Sequence, residues 1–333
     1  MRKELVWAGI IGISFGLIIA FGAWRIRSSV VSKSGPVPTA TPQNGVEKSK
    51  ITIDKPKNFD VVIASPMTVS GITKPLTWVV ISVEKTDYLT RSAGDGSFSL
   101  DIEPVAGINH IKATSINAQG NTSSQEILAV YSTSFREDIP EAPEDAKDSD
   151  LDKAVALKVA QAQKPPKAYI GTITDIMDST IQIKSVDSQI QQIATDKFDI
   201  TVVNTKGGSK TVKLTDIAIG DFVVAMGYID GNDVLDAQRI LVTTASSDSE
   251  ISVSMQKVDG VAKKSLTLTP AAGGEALTIT PDKDTQIRSF SDGKIKNIKI
   301  TDISESDLMI VVSDTTGTPA ISRSLFYLEP KEE

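Results

Sequence analysis

The chain shows two kinds of hydrophobic pattern, and they divide it cleanly. Residues 5–24, LVWAGIIGISFGLIIAFGAW, are twenty consecutive positions without a charge. After residue 50 no comparable run recurs, and short stretches in which apolar and polar positions alternate predict β-strands instead. Between these regions, and again between residues 134 and 167, the alternation stops and Pro, Thr or acidic residues take over.

At about 1.5 Å rise per residue, a helix over 5–24 matches the ~30 Å hydrocarbon core of a bilayer. Trp7 and Trp24 near its two ends are the interface anchors such a span calls for. The run exceeds the apolar region of a signal peptide and offers only a poor cleavage match at Ala20-Phe21-Gly22. The expectation is a retained membrane anchor (1–27 with its basic flanks) rather than a cleaved signal. Arg2 and Lys3 before it nearly balance Arg25, Arg27 and Lys33 after it, so charge alone does not orient it. Ala8, Gly12, Gly16 and Ala20 recur every fourth residue, a ridge on which two such helices could pack in lipid. Small residues are also simply common in membrane helices.

Residues 28–50 form a Thr/Pro-rich linker, with Pro36, Pro38 and Pro42 favouring extended chain. Such spacers resemble those holding bacterial surface domains off a membrane, and this places the bulk of the chain outside the plasma membrane as a single-pass protein. From 51 to 133 the strands ITID, MTVSGIT, WVVISVE, SFSLDIE, NHIKATSIN and EILAVYS are separated by turn signals such as Asp95-Gly96 and Gly120-Asn121. About seven strands at this spacing predict an antiparallel sandwich. The pieces VSGIT, WVVISVE, DGSFSLDI, GINHIKATSINAQGN and ILAVYS resemble bacterial immunoglobulin-like domains similar to domain B of glucodextranase. That resemblance implies a spacing or presenting module and carries no catalytic residues.

Residues 134–167 are an acidic linker with a short helix expected at 151–163. Beyond it the chain repeats itself. LTDIAIGDFVVAMGYIDGNDVLDAQRILV (214–242) aligns without a gap on ITDISESDLMIVVSDTTGTPAISRSLFYL (300–328), pairing Thr215-Asp216-Ile217 with Thr301-Asp302-Ile303 and Asp221 with Asp307. Residues 169–185 correspond more loosely to 258–270. Two β-barrel repeats follow, at 168–245 and 251–329, each of five or six strands. Their order resembles small OB-like barrels of an uncharacterised bacterial repeat family, with GDFVVAMG carrying most of the similarity. Ser306 and Ser313 replace Gly220 and Gly227 in the second copy, which puts its turn geometry in question.

Composition narrows the chemistry. The chain has no cysteine, so thiolate metal sites and disulfides are absent. Eight carboxylates between Glu137 and Asp152 against Lys147 account for the whole net charge of −7, leaving the rest neutral. OB-like barrels often bind oligonucleotides or sugars, but the first copy has six Lys/Arg against ten Asp, which argues against nucleic acid as a partner. Lys294, Lys296 and Lys299 read as protection of a strand edge. The single histidine, His110, lies in a strand without a nucleophile motif, and Asp230-Gly231-Asn232-Asp233 and Asp292-Gly293 read as hairpin turns before calcium sites. No catalytic, metal or cofactor residues are indicated.

The fold expected is mainly β: an N-terminal transmembrane helix, an Ig-like β-sandwich, and two tandem small OB-like barrel repeats. The function expected is that of a membrane-anchored, extracytoplasmic, non-catalytic binding or presentation protein of a bacterial envelope. Its partners would be membrane lipid through 5–24, a second copy through the helix ridge, and an envelope protein or polymer. A structural subunit of an envelope assembly and a carbohydrate-binding or carbohydrate-active surface protein are the alternatives.

Overall fold

Alternating Val/Ile and Ser/Thr over so many short stretches can bury a face only by pairing strands. The computed structural model of the chain, which describes residues 50–136, 165–245, 250–291 and 293–328, is accordingly mainly β. The membrane segment 5–24, with Trp7, Ala8, Gly12, Gly16, Ala20 and Trp24, lies outside the described residues, as do the Thr/Pro linker, the 151–163 helix and Asp292. No helix among the described residues is long and apolar enough to cross a membrane.

The first module has eight strands: β1 (Thr52–Lys55), β2 (Asp60–Val62), β3 (Met67–Ile72), β4 (Trp78–Val83), β5 (Thr86–Arg91), β6 (Ser97–Ile102), β7 (Gly107–Ile116) and β8 (Thr122–Tyr131). Sheet β1-β3-β6 faces sheet β2-β8-β7-β4-β5. Ile53, Val69 and Phe98 from one meet Val79, Ile81 and Ile111 from the other in an aliphatic core. β2 and β5 carry no clear apolar alternation, which is why the sequence did not announce them.

The second module has seven strands: β9 (Lys167–Met177), β10 (Thr180–Ser185), β11 (Ile190–Ala194), β12 (Thr201–Asn204), β13 (Lys210–Val212), β14 (Phe222–Ile229) and β15 (Val234–Thr243). Five of them close on themselves in the ring β9-β10-β11-β15-β14, with β11 and β15 parallel. The third module repeats the plan as β16 (Ile251–Val261), β17 (Leu266–Pro270), β18 (Leu277–Ile279), β19 (Gln286–Ser291), β20 (Lys294–Asn297), β21 (Leu308–Asp314) and β22 (Ile321–Leu328). Its order is β18-β17-β16-β21-β22-β19-β20. Lys294 and Lys296 sit on β20, an edge strand of this sheet.

Strand register refines the alignment of the copies. Val224 pairs with Ile170 and Leu241, and Ile310 with Met255 and Phe326, so Leu241 matches Phe326. The gapless alignment therefore slips by one residue beyond the hairpin, because the 314–321 loop is shorter by one than a constant offset requires. At the start of the repeat Ile173 matches Val258: each backbone N–H donates to the carbonyl of Asp221 or Asp307, both at 2.9 Å. Tyr169 thus matches Ser254 on β16, upstream of the stretch that the sequence aligned.

The Thr-Asp-Ile signature has a physical reason in both copies. Asp216 Oδ2 accepts the Lys213 N–H at 2.9 Å, and Asp302 Oδ2 accepts the Lys299 N–H at 2.9 Å, each closing a 3-10 turn. The Ile that follows, Ile217 or Ile303, is then buried in its module's core. At Ser306 the turn of Gly220 is kept: φ is +76° against +94°, and both N–H groups donate back to β9 or β16. The serine bears the left-handed strain, of order 1 kcal/mol, that glycine avoids.

Asp216→Ala and Asp302→Ala are each expected to cost about 1 kcal/mol, as loss of a capping carboxylate does. The two sites share no partner, so the double variant in urea denaturation should lose the sum to within ~0.5 kcal/mol.

Candidate functional site

Buried continuous runs, rather than alternation, mark where the modules meet. β4 (WVVISV) and the centres of β14 (VVAMG) and β21 (MIVV) are buried on both faces. A strand with only one face in its own core would show every second residue to water. Here the second face is covered by another module.

Both repeats present equivalent outer faces to the same sheet of the sandwich. Ala168, Ile170, Val224 and Met226 of the first repeat pack on Val61, Val130 and Phe135. Val253, Met255, Ile310, Val312 and Phe326 of the second pack on Val80, Leu89 and Ile116. The first contact also continues the sheet: Val61 N–H donates to Pro166 O at 3.0 Å, Ala168 N–H to Phe59 O at 2.8 Å, and Lys167 Nζ lies 2.6 Å from Asp60. β9 thereby joins β2, and one sheet runs through two modules.

The second contact is fixed by charge. Asp87 on β5 is fully buried. Its Oδ2 accepts the Ser324 hydroxyl at 2.8 Å, and its Oδ1 lies 3.2 Å from Arg323 Nη2, an ion pair without hydrogen-bond alignment. Arg288 donates through Nη2 to the Asp87 carbonyl at 2.7 Å and stacks 4.5 Å over the Phe326 ring. Burial pulls the Arg288 guanidinium below its ordinary pKa, opposed by Asp87. Arg323 also donates to Glu84 O at 2.6 Å, and Trp78 meets Phe290 edge-on at 5.0 Å.

Between the two docked repeats a strip of the sandwich is left uncovered. Ile108, His110 and Lys112 of β7 and Glu126 and Leu128 of β8 point outward there, since Ile111 and Ile127 point into the core. His110 stands opposite Leu128 and Lys112 opposite Glu126. Phe222, Ile170 and Asp187 of the first repeat form one wall, and Glu250 and Thr316 line the groove from the second repeat's side. The groove encloses about 820 Å³. Lys112 Nζ is committed to Ile251 O at 3.0 Å, which straps sandwich to second repeat across the floor. Three carboxylates against one bound lysine make the lining acidic, with Phe59 and Phe222 as apolar surfaces.

His110 is thus a groove residue, and its N–H donates to Glu84 Oε1 at 3.0 Å. Lys112, Glu126, Asp187 and Glu250 were not singled out by sequence reasoning, because only the docking of both repeats brings them together. The Asp230 turn behaves as a hairpin: Asp230 Oδ1 accepts the N–H groups of Asn232 (2.7 Å) and Val234 (2.9 Å), and Asp233 takes φ +60°. Among the described residues no group of three or more His, Cys, Asp or Glu is placed to hold a metal ion.

No protein-family model matches the chain, and no curated protein does. Among solved structures it is similar to a chain from work on host-cell-surface retention of a 1.5-MDa bacterial ice-binding adhesin. The identity is 12%, 85% of this chain and 99% of that chain are covered, and the TM-score is 0.20. A second comes from a Ca2+-stabilised, ice-binding adhesin of an Antarctic bacterium, at 15% identity, 85% and 75% coverage and TM-score 0.20. Scores this low carry neither fold nor function across to this chain.

Asp87→Ala leaves the half-buried Arg323 and the buried Ser324 hydroxyl without their carboxylate, while Arg288 keeps the residue-87 carbonyl, and is expected to cost about 3–5 kcal/mol in denaturant unfolding, against near-neutrality for exposed Asp101→Ala. Asp236 is held above the usual carboxylate range by burial and by Asp230 and Asp196, with Lys197 opposing. A raised pKa contributes stability at low pH that is lost as pH rises through the folded value. Asp236→Asn should therefore raise the melting temperature at neutral pH, and the gain should vanish below about pH 3.5, where the wild-type carboxyl is protonated in both states.

Proposed function

We propose that this chain is an extracytoplasmic, non-catalytic binding protein, tethered through residues 5–24 and held off the bilayer by its Thr/Pro spacer, and that the groove between the repeats is its ligand seat. The observation that carries the reading is the groove's construction: it exists only because two copies of one small module dock equivalent faces on one sheet. A fixed three-module head is an economical way to present such a surface, since preorganisation lowers the entropy lost on binding. The sheet pairing β1-β3-β6 against β2-β8-β7-β4-β5 supports reading the first module as immunoglobulin-like. The closed ring with parallel β11 and β15 supports an OB-like reading of the second.

The lining selects the ligand class. Carboxylates beside Phe59 and Phe222 suit a neutral or cationic partner that offers donors and an apolar face: a protein surface or a polyol-rich envelope polymer. The acidic lining disfavours polyanions.

The absence of cysteine makes the topology directly measurable. Lys263→Cys, on the exposed turn between β16 and β17, is expected to react with a membrane-impermeant maleimide in intact, wall-permeable cells as fully as after lysis. Labelling that requires lysis overturns the outside placement. Partners captured by the solubilised full chain should be lost on Glu126→Lys, with the melting temperature unchanged; retention of every partner removes the groove from the reading.

A further inference from the structure

Each repeat carries one guanidinium at the same place on its docking face, and only one of the two meets a carboxylate. Leu241 and Phe326 are equivalent, so Arg239 on β15 stands where Ser324 stands on β22. Val203 pairs parallel with Leu241 as Arg288 pairs with Phe326, so Val203 stands where Arg288 does. In the second repeat Arg288 Nη2 lies 3.1 Å from the Ser324 hydroxyl, and that hydroxyl donates to Asp87 of the sandwich. In the first, the cation has moved across to the neighbouring strand, and no described residue takes the part of Asp87.

Arg239 is half-buried, and its Nε is buried with no hydrogen-bond partner among the described residues. The other three arginines whose side chains are described are all engaged: Arg91 with Leu76 O, Arg288 with Asp87 O and Ser324, and Arg323 with Asp87. Arg239 lines a cavity of about 430 Å³ between the first repeat and the sandwich, which shares only Ile108 with the groove lining. Ser132, Ser134 and Thr243 bring hydroxyls to its wall, and Tyr131 and Leu241 bring apolar surface. Glu84 lines it too, with Oε1 engaged by the His110 N–H and no ion pair to Arg239. A cation cut off from water at one donor calls for an acceptor there.

We propose that this cavity binds a small, singly charged organic acid bearing hydroxyls, the chemistry of a uronic acid, with its carboxylate on Arg239 in the place that Asp87 holds in the second repeat. The volume is that of a small-ligand site. Nε and one Nη of a guanidinium present two parallel donors that match the two oxygens of a carboxylate. The serine and threonine hydroxyls and the second Glu84 oxygen pair with the ligand's hydroxyls. Glu84 also sets the charge limit, because beside a single cation it repels a ligand with two or more negative charges. The site is separate from the groove and independent of membrane orientation.

The probe is sodium glucuronate, titrated calorimetrically into the detergent-solubilised full chain, with glucose as its uncharged counterpart. Saturable binding of glucuronate is expected, with glucose at least about tenfold weaker. Arg239→Met keeps an apolar stem and removes the charge, and Thr133→Glu sets a competing carboxylate on the exposed rim. Each should weaken glucuronate binding at least about tenfold, that is, by ~1.4 kcal/mol. Thr133 is exposed, so its variant should keep the melting temperature, and it decides the matter if Arg239→Met fails to fold. The proposal is overturned if glucuronate shows no saturable binding, if glucose binds as tightly, or if either variant, folded, binds glucuronate as tightly as wild type. Glu126→Lys, in the groove, should bind it as wild type; loss there would place the ligand in the groove and overturn the assignment. Binding that appears only after Glu137→Gln and Asp138→Asn would give Arg239 a carboxylate of this chain and overturn it equally.

Discussion

The placement of the second repeat depends on one buried carboxylate. Asp87 sits at zero exposure between the sandwich and the second repeat, where an ionised group is tolerated only if partners replace its water. Ser324, Arg323 and the Arg288 that grips its backbone come from a single module and converge on this one residue of another. A buried ion pair is weak evidence of net stabilisation, because desolvation offsets most of its attraction. Its effect is on geometry: any rotation of the second repeat would strand two guanidinium groups and a carboxylate in an apolar contact. The interface formed by Phe326, Val80, Leu89 and Ile116 supplies attraction without direction, and the charges supply the direction.

The two dockings solve the same problem differently. The outer faces of β14 and β21 are apolar in both repeats, so each must be covered. The first repeat gains direction by extending the sandwich sheet from β2 into β9, with Lys167 and Asp60 alongside. The second has no strand continuity with the sandwich and relies on side-chain polarity instead. The same divergence reaches the position of Asp221 and Asp307. Asp221 accepts Lys206 Nζ and the Ala218 N–H, which hold its carboxyl below the usual range, whereas Asp307 accepts the Tyr327 hydroxyl. Backbone geometry is preserved between copies while side-chain partners are exchanged.

How much of this was legible in the sequence depended on whether the signal was local. Strand alternation, the Asp95-Gly96 turn, the Thr-Asp-Ile signature and the lysine-guarded edge are local, and residues such as Ile53, Val69, Ile217 and Lys296 could be placed from pattern alone. β2 and β5 could not, because Asp-Val-Val and Thr-Asp-Tyr-Leu-Thr-Arg are paired by their neighbours and not by their own periodicity. The groove was invisible for a related reason. His110, Glu126, Asp187 and Glu250 come from three modules, and nothing in their spacing indicates that they share a surface. The available signal was the unbroken runs WVVISV, FVVAMG and LMIVV, which are too apolar for strands with one wet face. Read that way, they announce that the modules pack together and are not strung on a thread.

That packing bears on what a three-module head can and cannot vary. The sandwich spends the outer face of one sheet on two neighbours, so the strip at His110, Lys112 and Glu126 is bounded on both sides and its width is fixed by the docking. Lys112 reaches across to Ile251 O and closes the remaining freedom from below. Substitution is then easiest at the groove's exposed side chains, Glu126, Asp187 and Glu250, none of which supports a module core. The duplicated module thus separates two demands that conflict within a single small barrel. One face holds position and is buried, and the residues at its margin face solvent.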